Sequence, residues 1–291
     1  MAIKIGIINQ KGGVGKTTIS NALAYQSSQI NNLKTLLIDF DPQASQTILL
    51  SLEPKHYLKD HEANIAKIFE KVEIKPLKIK ENLDFIPANL ELANQSESTT
   101  IGKDKMLQKF LNKVEENYDV ILIDSNPSFS SLMTNVVLSS DCLLIPIGTS
   151  ALDEAGAQGF FEIIENIADI YDKFPEKIYV IPTKFDKRRK DDTEVLDILQ
   201  KELPHYIKSL PNLKKSDFQV LKPIPERAVV KDAAAARLFV HEYIEEYDKN
   251  NKKFLNIFSS IIEVITNKAE NKPKTNNLTD TSKKTKVKVA K

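Results

Sequence analysis

Asn9-Gln10-Lys11-Gly12-Gly13-Val14-Gly15-Lys16-Thr17-Thr18 is a glycine-rich loop whose second half, Gly15-Lys16-Thr17, reads as a phosphate-binding loop. The general pattern is Gly, four residues, then Gly-Lys-Ser/Thr. Here Gln10 stands where the first Gly would, and a second lysine, Lys11, precedes the glycine pair. Upstream, Ile3, Ile5, Ile7 and Ile8 make a short β-branched run of the kind a buried strand shows. Downstream, the chain from Thr17 to about Ile30 reads as a helix. Strand, glycine turn and helix together aim successive backbone N–H groups and a helix N-terminus at an anion. Gly12, Gly13, Val14, Gly15 and Thr18 would then surround the phosphates of a nucleotide. Lys16 would reach the β/γ-phosphates, and the Thr17 hydroxyl would ligate Mg²⁺. One lysine serves the phosphates; a second in the same loop points to another task.

Working outward, apolar runs alternate with helical patterns, which predicts an α/β protein: a mostly parallel sheet with helices on both faces. Strands are expected at 3–8, 35–40, 83–87, 119–124, 142–147, 177–182 and 218–224. Helices are expected at about 17–30, 104–116, 129–139, 153–173, 190–202, 231–246 and 250–266. Residues 51–82 are less regular, with one short helix near 64–71 in an excursion over the sheet edge. The helix carrying Phe254, Ile257, Phe258, Ile261, Ile262 and Ile265 is amphipathic. Packing on the sheet is the favoured reading, and a membrane-seeking helix is the rival.

The 291-residue chain is 41% hydrophobic and 28% charged, as ordinary globular proteins are. No run approaches a membrane span, and the first strand begins too early to leave room for a signal peptide. Cys142 is the only cysteine, which excludes disulfide scaffolds and clusters needing paired cysteines, and suggests a reducing cytoplasm. Residues 268–291 carry eight lysines against Glu270 and Asp280 with few large apolar residues, a composition expected to stay disordered.

Two segments place carboxylates at strand ends. Asp39-Phe40-Asp41-Pro42-Gln43 follows the second strand, and Asp119-Val120-Ile121-Leu122-Ile123-Asp124 runs into a carboxylate at the same sheet edge. Open α/β sheets bind their ligands in this crevice. One carboxylate there can organise Mg²⁺-bound water while another orients the water attacking a γ-phosphate.

Lys11-Gly12-Gly13-Val14-Gly15-Lys16-Thr17-Thr18 and Asp39-Phe40-Asp41-Pro42-Gln43 resemble the deviant phosphate loop and the Asp-x-Asp-Pro-Gln segment of the ParA/MinD partition ATPases. The resemblance covers about residues 1–250. It implies a deviant P-loop NTPase fold, an ATPase domain over residues 1–267, and ATP and Mg²⁺ as cofactors. By that match Lys11 touches the partner's ATP across a sandwich homodimer, and Lys16 and Asp41 join it as catalytic residues, Asp41 positioning the attacking water. Thr17, Asp39 and Asp124 serve the metal. Where the family usually continues Asp-x-Pro-Pro, this chain has Asp124-Ser125-Asn126-Pro127, so the switch beside the metal departs from the pattern. The segment Ala151–Gly156 resembles the family's next switch and receives no catalytic role.

Thr183-Lys184-Phe185-Asp186 is ambiguous, since Thr/Asn-Lys-x-Asp after a strand also reads guanine in GTPases. ParA proteins carry a similar strand end, and Pro223-Ile224-Pro225-Glu226-Arg227 resembles their Ile-Pro-Arg-Asn adenine loop, with Glu226 in place of Arg. Thr183, Lys184, Asp186 and Pro225 are therefore expected at the base, and ATP is favoured over GTP.

Lys187-Arg188-Arg189-Lys190 is a compact basic cluster, and Lys231 adds to it. Such patches summed over a dimer give salt-sensitive, sequence-independent DNA binding. The resemblance implies that use, together with a ParB-like centromere-binding partner that stimulates hydrolysis, and a cytoplasmic, nucleoid-associated protein. With the first strand at Ile3, a fused helix-turn-helix operator-binding extension is not expected. The rivals are a MinD-like membrane-cycling ATPase, a GTPase using Thr183–Asp186, and a non-hydrolysing adaptor, which Asn126 leaves open.

Overall fold

A computed structural model describes residues 1–50, 62–97 and 101–266. The β-branched runs pair into one sheet because most of their side chains are apolar and pack into a core on either face. Across it lie β3 (Leu77–Lys80), β4 (Leu83–Ile86), β2 (Thr35–Phe40) and β5 (Val120–Ser125). Then come β1 (Ile3–Ile7), β6 (Cys142–Gly148), β7 (Lys177–Phe185) and β8 (Asp217–Val220), with β9 (Ile224–Pro225) also pairing with β7. Among the described residues every pairing is parallel except β3 with β4. The mostly parallel sheet with helices on both faces is the expected architecture.

Side chains alternate between two cores, as strand geometry requires. Leu36, Ile38, Ile121, Ile123, Leu143 and Ile145 face one core. It is covered by α4 (Met106–Val114), α5 (Ser131–Ser139) and α6 (Ala151–Tyr171), with α7 (Lys190–Lys201) and α8 (Leu203–Ser209) at its flank. Ile5, Ile7, Leu37, Leu122, Leu144 and Ile181 face the other. That face is covered by α1 (Lys16–Tyr25), α9 (Ala228–Ala235), α10 (Val240–Tyr247) and α11 (Lys252–Ile265). α11 buries Phe254, Phe258, Ile261, Ile262 and Ile265, so its apolar stripe is used in packing, as the favoured reading had it. No helix among the described residues is long and apolar enough to cross a membrane.

Several boundaries differ from expectation. The strand expected at 218–224 is two short strands, β8 and β9. The helix expected at 231–246 breaks between α9 and α10, where Arg237 takes a left-handed φ of 55°. Leu238 N–H closes α9 on the Ala233 carbonyl, and the Glu242 carboxylate accepts from Phe239 N–H to open α10. β3, α2 (Ser45–Leu50), α3 (Glu91–Glu97) and α8 were not anticipated. In α8, Pro204 sits in the first turn, where its missing N–H costs nothing. Within the expected excursion, a 3₁₀-helix at Ile65–Glu70 buries Ile65, Ala66 and Ile68, and β3 extends the sheet edge. Residues 51–61 and the lysine-rich tail, 268–291, lie outside the described residues.

The loops after β1, β2 and β5 all leave the carboxyl ends of neighbouring strands. Pairing sets Ile7 opposite Asp124 and Asp124 opposite Asp39. The phosphate-loop candidate and both carboxylate segments therefore meet at one edge.

Candidate functional site

The loop between β1 and α1 is held in an anion-cupping shape by its glycines and by Asn9. Gly13 and Gly15 have φ of 73° and 98°, left-handed values that a Cβ would strain, and Gly15 caps α1. The Asn9 amide donates to the Pro146 carbonyl at 2.7 Å and accepts from Lys11 N–H at 2.8 Å, tying the loop to β6. Lys16 is buried, and its ammonium donates to the carbonyls of Asn9 at 3.0 Å and Lys11 at 3.2 Å. Of three ammonium N–H groups, two go to carbonyls and one remains for a ligand oxygen. Burial pulls the Lys16 pKa down, opposed by the negative charges of Asp124 and Asp41. Lys11, five residues earlier, is exposed. The same loop thus holds one buried lysine and one that faces outward.

Opposite this loop lie the carboxylates. Asp39 is fully buried; it accepts from Thr47 N–H at 2.8 Å and the Thr47 hydroxyl at 2.7 Å, and from Asp41 N–H at 3.2 Å. Its bonds go to the chain, so its position suits holding the Asp41 loop more directly than ligating a metal. Asp41 accepts from Gln43 N–H at 2.9 Å, a local turn that fixes its carboxylate. Asp124 differs from both: it is buried, and neither carboxylate oxygen has a hydrogen-bond partner of ordinary geometry. Burial first, and then the charge of Asp39, push the Asp124 pKa well above the carboxylate range. Desolvation likewise raises those of Asp39 and Asp41.

Two buried carboxylates side by side need positive charge. The unpartnered oxygens of Asp124, with the Thr17 and Lys16 side chains close enough to favour its ionised form, fit Mg²⁺. Among the described residues no group of three or more His, Cys, Asp or Glu could hold a metal. Replacing Asp124 by Asn removes a desolvated charge while keeping the shape. We expect the melting temperature without Mg²⁺ to rise by about 2–4 °C, and the further rise on adding ATP with Mg²⁺ to be lost. Thermal unfolding in EDTA and in Mg²⁺·ATP checks both, and a lower melting temperature in EDTA would refute the argument.

Beside the loop opens a cavity of about 210 Å³ that runs from Gly13–Gly15 and Thr18 to β9 and the inner face of α11. Thr183, Lys184, Pro225 and Lys231 line it, as does Glu226. The Thr183 hydroxyl donates to the Val14 carbonyl at 2.9 Å, clamping β7 to the loop. Asp186 does not line the cavity. Its carboxylate is gripped by the Arg188 guanidinium at 2.6–3.2 Å and accepts from Arg188 N–H at 3.0 Å, which holds its pKa well below the usual range. The structure therefore separates Asp186 from the three residues expected beside it.

The basic cluster is less free than its composition suggests. Besides Arg188, Arg189 lies 3.8 Å from Glu226 and Lys190 lies 3.3 Å from Glu194. These pairs are exposed and exchange readily with other anions. Asn126 is buried behind Asp124, and its side-chain oxygen has no partner. The parts played by four residues escaped the sequence reading. Thr47 holds Asp39 from α2, Asn9 ties the loop to β6, and Phe254 and Phe258 of α11 floor the cavity. None carries a local motif.

A family profile described as AAA domain matches residues 2–180. An uncharacterized protein of Methanocaldococcus jannaschii is 30% identical over 241 residues, 79% of this chain and 87% of that one. The sporulation initiation inhibitor protein Soj of Bacillus subtilis is 37% identical over 145 residues, 49% of this chain and 57% of its own. Among solved structures, a plasmid partition protein of Borrelia burgdorferi B31 bound to AMPPNP superposes with a TM-score of 0.69 and 29% identity. That match covers 90% of this chain and 100% of that one.

Proposed function

This chain belongs to the ParA/Soj/MinD family of deviant Walker A P-loop ATPases, with ATP and Mg²⁺ as cofactors, and from that premise we propose that it is a DNA-partitioning ATPase. In this reading ATP closes two copies of the chain into a sandwich dimer, and the dimer holds nonspecific DNA. Hydrolysis stimulated by a ParB-like partner releases it, in a cytoplasmic, nucleoid-associated cycle. The observation that carries the reading is the pair of lysines in one loop, Lys16 buried against carbonyls and Lys11 exposed. A single subunit has use for the first; the second has its role across a dimer. The plasmid partition relative bound to AMPPNP supports the same assignment.

Each residue then has a task. The backbone of Gly12–Gly15, with Thr17 and Thr18, receives the phosphates, and Lys16 donates to their outer oxygens. Asp124 and Thr17 would hold Mg²⁺, which would supply positive charge beside the transferred phosphoryl group. Asp39 braces the turn that presents Asp41, and Asp41 orients the attacking water. Thr183, Lys184 and Pro225 border the base. Asp186 lies outside the cavity with its carboxylate paired to Arg188, which speaks against the GTPase reading. Lys187, Arg188, Arg189, Lys190 and Lys231 supply DNA phosphate contacts when two subunits are aligned, and linkage couples them to ATP through dimer formation.

Retention on nonspecific duplex DNA, measured with ATPγS, ADP and GTPγS over a salt series, tests the proposal. ATPγS should give retention that falls steeply between about 50 and 200 mM salt, whereas ADP and GTPγS give little. Lys11→Ala should keep ATP binding while losing ATP-dependent self-association and DNA retention. If ATPγS retained no more than ADP, the partition assignment would fail.

A further inference from the structure

We propose that Glu226 is the specificity-determining residue that selects adenine at the base end of the cavity, an inference resting on the ATP site proposed above. The donor and acceptor inventory of the cavity wall leads to it. Among the residues that line the cavity, Glu226 is the only carboxylate, while Lys184, Arg227 and Lys231 can only donate. The remaining wall near β9 is apolar, from Ile224, Pro225 and Phe254. Asp186, the carboxylate that the strand-end motif offers to a base, is outside the cavity and occupied by Arg188.

The placement of Glu226 is built into the sheet. Ile224 and Pro225 pair with Thr183 and Phe185, and Glu226 N–H donates to the Phe185 carbonyl at 3.3 Å. The residue is therefore carried at the end of the β7–β9 pairing, next to the rung that presents Thr183 to the phosphate loop. Arg189 stands 3.8 Å from the Glu226 carboxylate.

An ionised carboxylate accepts hydrogen bonds only. The 6-amino group of adenine donates, so it satisfies Glu226; a purine with no 6-amino group leaves the carboxylate without that donor. Sites built around a hydrogen-bonding partner reject analogues that lack it. The Glu226 side chain is 43% exposed, so water competes and the discrimination is modest.

The test compares equilibrium binding of ATP and purine riboside 5′-triphosphate, which lacks the 6-amino group, with Mg²⁺ present. Wild-type protein should prefer ATP by about five- to tenfold. Glu226→Ala should bring the two affinities within about twofold, chiefly by weakening ATP. Glu226→Lys, which puts a donor where the acceptor was, should abolish the preference for ATP over the riboside triphosphate. Glu226→Gln, which keeps an acceptor, should retain part of the preference and shows that the loop tolerates substitution. An ATP preference in Glu226→Ala equal to that of wild type would overturn the assignment and leave the ATPase reading standing. Wild-type protein that bound neither triphosphate would overturn both.

Discussion

Lys16→Ala lowers the affinity for ATP in Mg²⁺ by about 100-fold or more, while the protein stays folded. The size of the effect follows from where the ammonium sits. Its partners are the carbonyls of Asn9 and Lys11, two points on the loop that should wrap the phosphates, so it shapes the loop as well as charging it. Being buried, it acts in a low dielectric, where a charge-assisted bond to phosphate counts for most. Truncation also removes the positive charge that offsets Asp41 and Asp124, so the negative edge repels the incoming triphosphate. The substitution should not unfold the chain, because it removes a desolvated charge. Titration of ATP by calorimetry checks the affinity, and thermal unfolding checks the fold. Binding within a few-fold of wild type would refute the role given to Lys16.

The legible parts of this molecule are those where a local rule has only one solution. β1, the loop and α1 could be read because the hydrophobic period changes abruptly across Gly12–Gly15. Asp39 and Asp124 could be placed together because both end strands with uninterrupted apolar interiors, and parallel pairing then sets them side by side. β3 was hidden because Lys78 and Lys80 break its apolar run; it is an edge strand, where charge serves against further pairing. The break at Arg237 was hidden in an alanine run with no proline or glycine, and a tertiary fit, not propensity, places it. The base end of the site is the hardest case. Its walls come from residues 13–19, 183–184, 224–231 and 254–258, and no spacing rule joins segments so far apart. The pairing of Asp186 was hidden for a related reason: its partner is two residues away, but the geometry that closes the pair is set by the turn after β7.

Asp41→Ala separates binding from chemistry. Asp41 lies at the mouth of the sheet; its N–H donates to Asp39 and its carbonyl accepts from Ala44 N–H, backbone bonds that alanine keeps while losing only the carboxylate bond from Gln43 N–H. Asp39 in turn is held by Thr47, whose hydroxyl also accepts from Ala88 N–H, which fixes the turn from β2 to the start of α2 without help from the Asp41 side chain. Loss of the carboxylate should therefore leave Lys16, Thr17 and Asp124 in place and spare the affinity for ATP. Turnover needs a water oriented by a charged acceptor, and removing such a group costs on the order of 100- to 1,000-fold in rate. ATP-dependent DNA retention should persist in the variant and outlast that of wild type, because the dimer can no longer hydrolyse its way apart. Asp41→Asn, which keeps shape and loses charge, should resemble Asp41→Ala in turnover. Phosphate release and DNA retention measured on the same samples decide between the roles. Loss of both together would assign Asp41 to assembling the site instead of to orienting water.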